Sequence, residues 1–282
     1  MTDKSRLLPT DGFNQLAQTA DGFTLYNRHD VYIGRSVALY GEYNGQEASL
    51  LEACCIPGAR VIEAGANIGT HTVAMARRVG PGGAVHAFEP QRLVFQTLCA
   101  NVALNSLTNV HCHWAAVGRT RGSIRVPSLD PGTANNFGGL ALEENLQQGD
   151  QVPVITLDDY CALASLRLSK IDVEGMERQV LEGAQKLIAR FKPLIYLEND
   201  RIDRSMALMT WLDQAGYELW WDLPPLYRPD NHYRNPDNVF GKIRSFNLLC
   251  VHPDNPLIKV NSPRITDFTL HPLASRDITA PG

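Results

Sequence analysis

The 282-residue chain carries 26 lysines and arginines against 30 acidic residues, a net charge of -4, and is 44% hydrophobic and 20% charged. That is the balance of an ordinary globular protein of one or two domains. With no basic excess and no Lys/Arg run, nucleic acid is a poor partner, and no apolar run approaches the ~18 residues of a membrane span. Six cysteines (Cys54, Cys55, Cys99, Cys112, Cys161 and Cys250) show no C-x-x-C spacing. Several sit in apolar runs, as buried reduced thiols do. Met1 to Gln15 is polar, with Asp3 and Asp11, and does not read as a signal peptide. A reducing cytoplasm is the expected compartment.

In chain order, residues 1 to about 21 are polar and are expected to be poorly ordered. Phe23–Tyr26 and Val31–Ile33 read as two short strands around a turn at Asn27–Asp30. Gln46 to Cys55 reads as a helix ended by Pro57-Gly58. Residues 1–57 therefore form an expected leader before the main domain, 58–252.

From Arg60 onward strands and helices alternate. The first strand, Val61–Glu63, leads into a helix at Thr70–Val79, stopped by Gly80-Pro81-Gly82-Gly83. The second strand, Ala84–Phe88, ends at Glu89-Pro90. A helix follows at Leu93–Leu104, with Leu93, Val94, Leu98 and Val102 on one face. Val110–Ala116 is the third strand. The glycine-rich stretch 118–153 reads as a hairpin-like excursion plus a loop. Thr156–Leu163 begins a short helix capped by Thr156 or Asp158.

The fourth strand, Ser169–Val173, ends at Glu174-Gly175, and Glu177–Phe191 reads as one helix. The fifth strand, Pro193–Leu197, ends in Glu198-Asn199-Asp200. Ser205–Gln214 is a helix closed by Gly216. Tyr217–Trp221 and Phe246–Val251 are the last two strands, joined by a loop at 223–244 rich in proline and aromatic residues. The tail, 253–282, has scattered prolines and no period. The alternation implies an α/β fold, a mostly parallel sheet with helices on both faces. The helix-free connection between the last two strands implies an antiparallel hairpin at one edge.

The chain is organised around the turn Glu63-Ala64-Gly65-Ala66-Asn67-Ile68-Gly69-Thr70. Glycines there let backbone approach a ligand, and the following helix offers free N–H groups. A nicotinamide dinucleotide wants G-x-G-x-x-G. Read from Gly65, the second and third glycines are Asn67 and Thr70, which argues against a nicotinamide-dependent oxidoreductase. S-adenosylmethionine fits better. It has no phosphate, and Glu63 stands ready to attract its ammonium. Glu89 follows Gly69 by 89 − 69 = 20 residues, at a strand end where a rigid carboxylate can accept both ribose hydroxyls.

Glu63-x-Gly65-Ala66-Asn67-Ile68-Gly69, Phe88-Glu89-Pro90, Ala115-Ala116-Val117-Gly118 and Lys170-Ile171-Asp172-Val173-Glu174-Gly175-x-Glu177 together resemble the FkbM-type S-adenosylmethionine-dependent methyltransferases. The resemblance runs from about Gln46 to His252. Glu63 departs from it, since many members carry Asp there. It implies a Rossmann-like class I methyltransferase fold with a seven-stranded sheet in the order 3-2-1-4-5-7-6, the last strand antiparallel. It also implies O-methylation of a hydroxyl on a small molecule, a sugar or a polyketide-like natural product, with S-adenosylhomocysteine as the second product.

In such sheets the ligand lies beyond the carboxyl ends of the strands. The expected cofactor site is Glu63, Gly65, Ala66, Asn67, Gly69, Thr70, His71, Glu89, Pro90 and Asp172, with Trp114 or Ala115 beside the adenine. An aliphatic hydroxyl needs a base or a metal. Asp172 is the expected base, positioned by Glu174 and Glu198. Two other roles stay open: for Asp172, only to orient the cofactor ammonium, and for Glu174, only to hold backbone N–H groups of the following helix. Asp172, Glu198 and Asn199 would also suit Mg²⁺. His71 reads as a helix-face residue or a base. Tyr40 and Tyr43 are candidates to cover the cofactor. His232, Tyr233, Trp220, Trp221, Tyr227 and Phe240 form either a lid over the acceptor or a loop packed on itself. A non-catalytic cofactor-binding protein is a third reading, against which the strand-end carboxylates argue. The expected partner is a small hydroxylated molecule, with no nucleic acid and no membrane, and a homo-oligomer is compatible with this reading.

Overall fold

Two antiparallel strands, β1 (Asn14–Thr19) and β2 (Gly22–Asn27), open the computed structural model, which describes residues 11–140, 146, 148–160 and 163–274. No strand forms at Val31–Ile33. The hairpin contains the strand expected at Phe23–Tyr26 and orders the later part of the stretch expected to be poorly ordered, of which residues 1–10 lie outside the described residues. It is held by a helix far along the chain. The Asn101 side chain accepts the Leu25 N–H at 2.6 Å and donates to the Leu25 and Ile68 carbonyls. Helix α1 (Ile33–Tyr40) starts where a strand was expected. One carboxylate oxygen of Asp30 accepts the N–H groups of Tyr32 and Ile33, which are the free donors of a helix start. Helix α2 (Gly45–Cys54) follows as expected.

The main unit is β3 (Arg60–Ala64), α3 (Thr70–Val79), β4 (Ala84–Phe88), α4 (Arg92–Leu104) and β5 (Val110–His113). The third strand was expected to reach Ala116. Instead the chain turns at Ala115, and β6 (Ala116–Val117) joins β7 (Gly122–Val126) and β8 (Asp150–Ile155) in a separate three-stranded sheet. The β7–β8 pair is the expected excursion. Helix α5 (Leu157–Tyr160) is capped by Thr156, whose hydroxyl accepts the Asp159 N–H. Asp158 instead accepts the Lys186 and Leu187 N–H groups. Cys161 lies outside the described residues.

Strand β9 (Leu168–Ile171) stops one residue before Asp172. The single helix expected at Glu177–Phe191 is two, α6 (Glu177–Glu182) and α7 (Gln185–Phe191). Gly183 marks the break: its Cα packs so closely on Gly118 that a Cβ would lie 2.1 Å from the Gly118 carbonyl oxygen. Then come β10 (Leu194–Glu198), α8 (Ile202–Gln214), β11 (Glu218–Asp222) and β12 (Asn247–Val251).

The seven-stranded sheet runs β11-β12-β10-β9-β3-β4-β5. Counted from β3, that is the expected 3-2-1-4-5-7-6. The five strands from β10 to β5 are parallel neighbours, and β12 is antiparallel to both β10 and β11. Successive side chains of β3 serve opposite faces. Val61 packs with Leu51, Met75 and Val85, whereas Ile62 packs with Ile171, Val180 and Leu208. Helices α2 and α3 thus cover one face and α6 to α8 the other, and the leader shares the main core through Leu51 and Cys54. Tail residues Leu257 and Ile258 pack against the first cluster, Ile265 and Phe268 against the second. The described cysteines are all free, with Cys54, Cys55 and Cys250 buried. No helix among the described residues is long and apolar enough to cross a membrane.

Candidate active site

A cleft with about 1090 Å³ of empty space, its solvent mouth included, opens beyond the carboxyl ends of β3, β4, β9 and β10. The β3–α3 turn forms one wall. Gly65, Asn67 and Gly69 all have positive φ, at 81°, 50° and 86°. A Cβ on Gly65 would collide with the Asp172 carbonyl, so glycine lets β3 and β9 end side by side. The N–H groups of Gly65 and Ala66 donate to the Phe88 carbonyl at 3.0 and 2.9 Å.

Glu89 is 3% exposed and stitches this turn to the next. Its Oε2 accepts the Asn67 N–H at 2.9 Å and its Oε1 the Gln91 N–H at 2.8 Å. Each oxygen keeps a lone pair for a ligand hydroxyl. Burial pushes its carboxyl up to about 7. Past it, a smaller space of about 480 Å³ is walled by Phe88, Pro90, Ala115 and Met176 and shares Gly65, Glu89 and Asp172 with the cleft. Its apolar walls suit a flat base. Trp114 lines neither space: its indole N–H donates to the Pro90 carbonyl at 2.8 Å and the ring faces solvent. Of the two residues expected beside the adenine, the structure brings only Ala115 to this space.

The polar floor suits a zwitterionic, cationic ligand. Glu63 is buried, accepts the Thr72 hydroxyl, and is pushed by burial up to about 7. Thr70 and His71 line the same floor. Among the described residues neither ring nitrogen of His71 has a hydrogen-bond partner, and Nε2 lies 3.5 Å from Glu47 Oε1. Burial holds the imidazole well below its ordinary range, so it is neutral. A buried, unsatisfied imidazole beside a glycine turn points to a group supplied by a ligand. Together with the two free lone pairs of Glu89, this fits S-adenosylmethionine.

On the other wall, Asp172 Oδ2 lies 3.1 Å from the Nζ of Lys170, which is 3% exposed. Carboxylate oxygens of Asp172, Glu174 and Glu198 lie within 4.8 Å of one another. Arg201 bonds Glu174 at 3.0 Å and lies 3.3 Å from Asp200. Glu174 is pushed to about 8 by burial and by Asp172, and Glu198 is raised for the same two reasons. Asn199 is not in this group, since its amide donates to Ser205 Oγ at 2.8 Å. Nor does Glu174 hold the turn before α6. That is the work of Glu177 Oε1, which accepts the Val173 and Gly175 N–H groups.

Tyr43 lines the cleft. Tyr40 does not: it is buried, donates to the Asp237 carbonyl, and packs on Tyr227 and Phe240. None of Trp220, Trp221, Tyr227, His232, Tyr233 and Phe240 lines the cleft, so the loop packs on itself rather than forming an aromatic lid. The roof is instead Asn136, Gly138 and Gly139, from the stretch before β8. Sequence reasoning also missed Glu47, Lys170 and Asn247. Only Lys170 left a signal, a long charged side chain in the middle of a strand whose every residue is buried.

The domain family described as the methyltransferase FkbM domain matches residues 63–219. No curated protein matches the chain. Among solved structures the chain is similar to the methyltransferase FkbM from Methylobacillus flagellatus, 21% identical with a TM-score of 0.46. That likeness covers 69% of this chain and 44% of the other, so the chain spans less than half of that protein's length. It is also similar to an S-adenosylmethionine-dependent O-methyltransferase from Thermotoga maritima, 13% identical, TM-score 0.48, over 86% of this chain and 78% of that one. An rRNA methylase from Streptococcus thermophilus is 13% identical with a TM-score of 0.44, over 73% and 94%. Likenesses this distant carry no functional argument; the domain match carries the family.

Proposed function

The chain belongs to the FkbM family of S-adenosylmethionine-dependent methyltransferases, and we propose that it moves the cofactor's methyl group to a hydroxyl oxygen of a small molecule, Asp172 taking the hydroxyl proton. One observation carries this reading. Asp172 is the residue where the two halves of the cleft meet. Its backbone packs on the Gly65 turn, and its carboxylate faces Glu174 and Glu198. A base belongs at that junction, because transfer from a sulfonium needs the acceptor oxygen in line with the carbon–sulfur bond, at roughly 3–3.5 Å.

The chain's own groups support the step. Lys170 Nζ lies 3.1 Å from Asp172 Oδ2 and holds that carboxylate in place, and the buried alkylammonium is itself held protonated by its acidic neighbours. Glu198 has an oxygen without a hydrogen-bond partner among the described residues, open to an acceptor hydroxyl. The cofactor, when bound, supplies the electrophilic methyl group. The acidic acceptor wall disfavours a phosphate-rich acceptor such as RNA. A sugar or polyketide-like hydroxyl suits it.

A divalent cation at Asp172, Glu174 and Glu198 is the second reading, favoured by their mutual distances. Against it, Arg201 already neutralises Glu174. Labelled-methyl transfer from S-adenosylmethionine into small hydroxylated molecules tests the proposal. Loss of turnover with a chelator, restored by Mg²⁺, would move the account to the metal form.

A further inference from the structure

Among the described residues, Lys170 is the one cation between three carboxylates on the cleft floor, those of Glu47, Glu63 and Asp172. It bonds Asp172 directly and leaves the other two without an ionic partner of their own. Both are deeply buried, Glu47 at 5% exposure and Glu63 at 1%. Three ionised carboxylates around one ammonium would leave two uncompensated charges out of water, which proteins avoid by protonating a group.

Among the described residues, the neighbours of Glu47 and Glu63 supply no further cation. Glu47, on α2, faces Lys170 and Asp172 from the end of β9, Asp222 from β11 and the neutral His71 from α3. Its Oε2 accepts from Asn44 at 2.7 Å and from Asn247 at 3.4 Å, and Asn247 in turn donates to Tyr196, itself bonded to Asp222. Tyr43, beside His71, is a neutral phenol. Glu63, on β3, faces Lys170, Asp172 and the Thr72 hydroxyl, with Glu89 and the thiols of Cys55 and Cys112 at longer range. The consequence of burial is a Glu47 carboxyl at about 8 and a Glu63 carboxyl at about 7.

We propose that Glu47 and Glu63 hold an exchangeable proton in the free protein and give it up when a sulfonium cofactor binds, which makes Glu47 a residue that reads the cofactor's charge. The inference rests on the cleft being the S-adenosylmethionine site. With its amino group protonated, S-adenosylmethionine has a net charge of one positive unit, and S-adenosylhomocysteine, lacking the sulfonium, is neutral. Both ligands bring the ammonium to Glu63, so the floor ionises further for the methyl donor than for the product, by the one charge of the sulfonium. The preference for donor over product strengthens as pH rises from 6 toward 8, by up to roughly tenfold per unit for one linked proton. Glu47 acts through charge balance and has no part in the methyl transfer itself.

Titration calorimetry in three buffers of different ionisation enthalpy counts the protons released on binding. At pH 6.5, below the ordinary α-amino range of ~7.7–8.0, the amino groups of both ligands remain protonated. The expected result is that S-adenosylmethionine releases more protons than S-adenosylhomocysteine, by up to about one. Glu47→Gln should cut that difference by about half and flatten the pH dependence of the affinity ratio. Equal proton counts for the two ligands in the unaltered protein would overturn the inference, even if the variant fails to fold. Binding of neither ligand would overturn the cofactor reading beneath it.

Discussion

The carbonyl oxygen of Asp172 fills the space a side chain on Gly65 would need: a Cβ there would stand 1.6 Å from it. The Asp172 N–H donates to the Ala64 carbonyl at 2.9 Å, so the cofactor turn and the proposed base are joined backbone to backbone. Asp172 cannot shift without moving the turn.

Gly65→Ala should therefore damage both fold and binding. The new Cβ would overlap the carbonyl, and alanine would have to hold φ near +81°. Together these cost more than about 3 kcal/mol, or roughly 6–12 °C in melting temperature for a domain of this size. Thermal unfolding checks this, and a fall of under about 2 °C would show that the turn tolerates a side chain.

Glu89→Gln should keep the fold and weaken cofactor binding by roughly 10- to 100-fold, the scale of a lost charge-assisted hydrogen bond. One amide oxygen can still accept a backbone N–H, but the second acceptor becomes a donor facing another N–H. Calorimetry with S-adenosylhomocysteine reads the change, and an unaltered affinity would remove Glu89 as the ribose anchor.

Asp172→Asn should bind the cofactor within about threefold of the original protein and lose roughly 10²- to 10⁴-fold in kcat, the range for a general base. Asparagine keeps the shape and the backbone contacts but cannot take a proton. Turnover at the original rate would leave Asp172 only an orienting role.

The free protein should lose stability as pH rises from 6 to 8.5. Glu63, Glu89 and Glu177 lie near 7 and Glu47 near 8 when folded, against 4.5 for an ordinary glutamate. Between 4.5 and 7 the folded chain binds more protons than the unfolded one, so the contribution is fully present below about 4.5 and is lost through 7 to 8. Urea unfolding across this pH range measures it. A midpoint that rises with pH would show that these carboxyls ionise freely.

Much of this was legible in the sequence, and the reasons differ by residue. The β3–α3 turn and Glu89 stood out because a glycine turn, a strand end and a fixed spacing are local features. The sheet order came with the family resemblance, and the absence of a helix before β12 agreed with it. Glu47 and Lys170 became visible only in space, since their importance lies in sharing one buried pocket across 123 positions of chain (170 − 47). Of the hairpin, β2 was expected at Phe23–Tyr26 but β1 was missed, because Asn101, far along the chain, holds the pair. Residues 136–139 were missed because a roof made by backbone turns carries no periodic signal. The supposed lid at 223–244 was aromatic for its own packing on Tyr40.

On this reading the cleft is built for a sulfonium nucleoside and not for a dinucleotide. Titration calorimetry of the intact chain with S-adenosylmethionine, S-adenosylhomocysteine and NAD tests it most directly. The account predicts one site per chain, filled by either of the first two and not by NAD. Saturable binding of NAD, with no heat from S-adenosylmethionine, would contradict it.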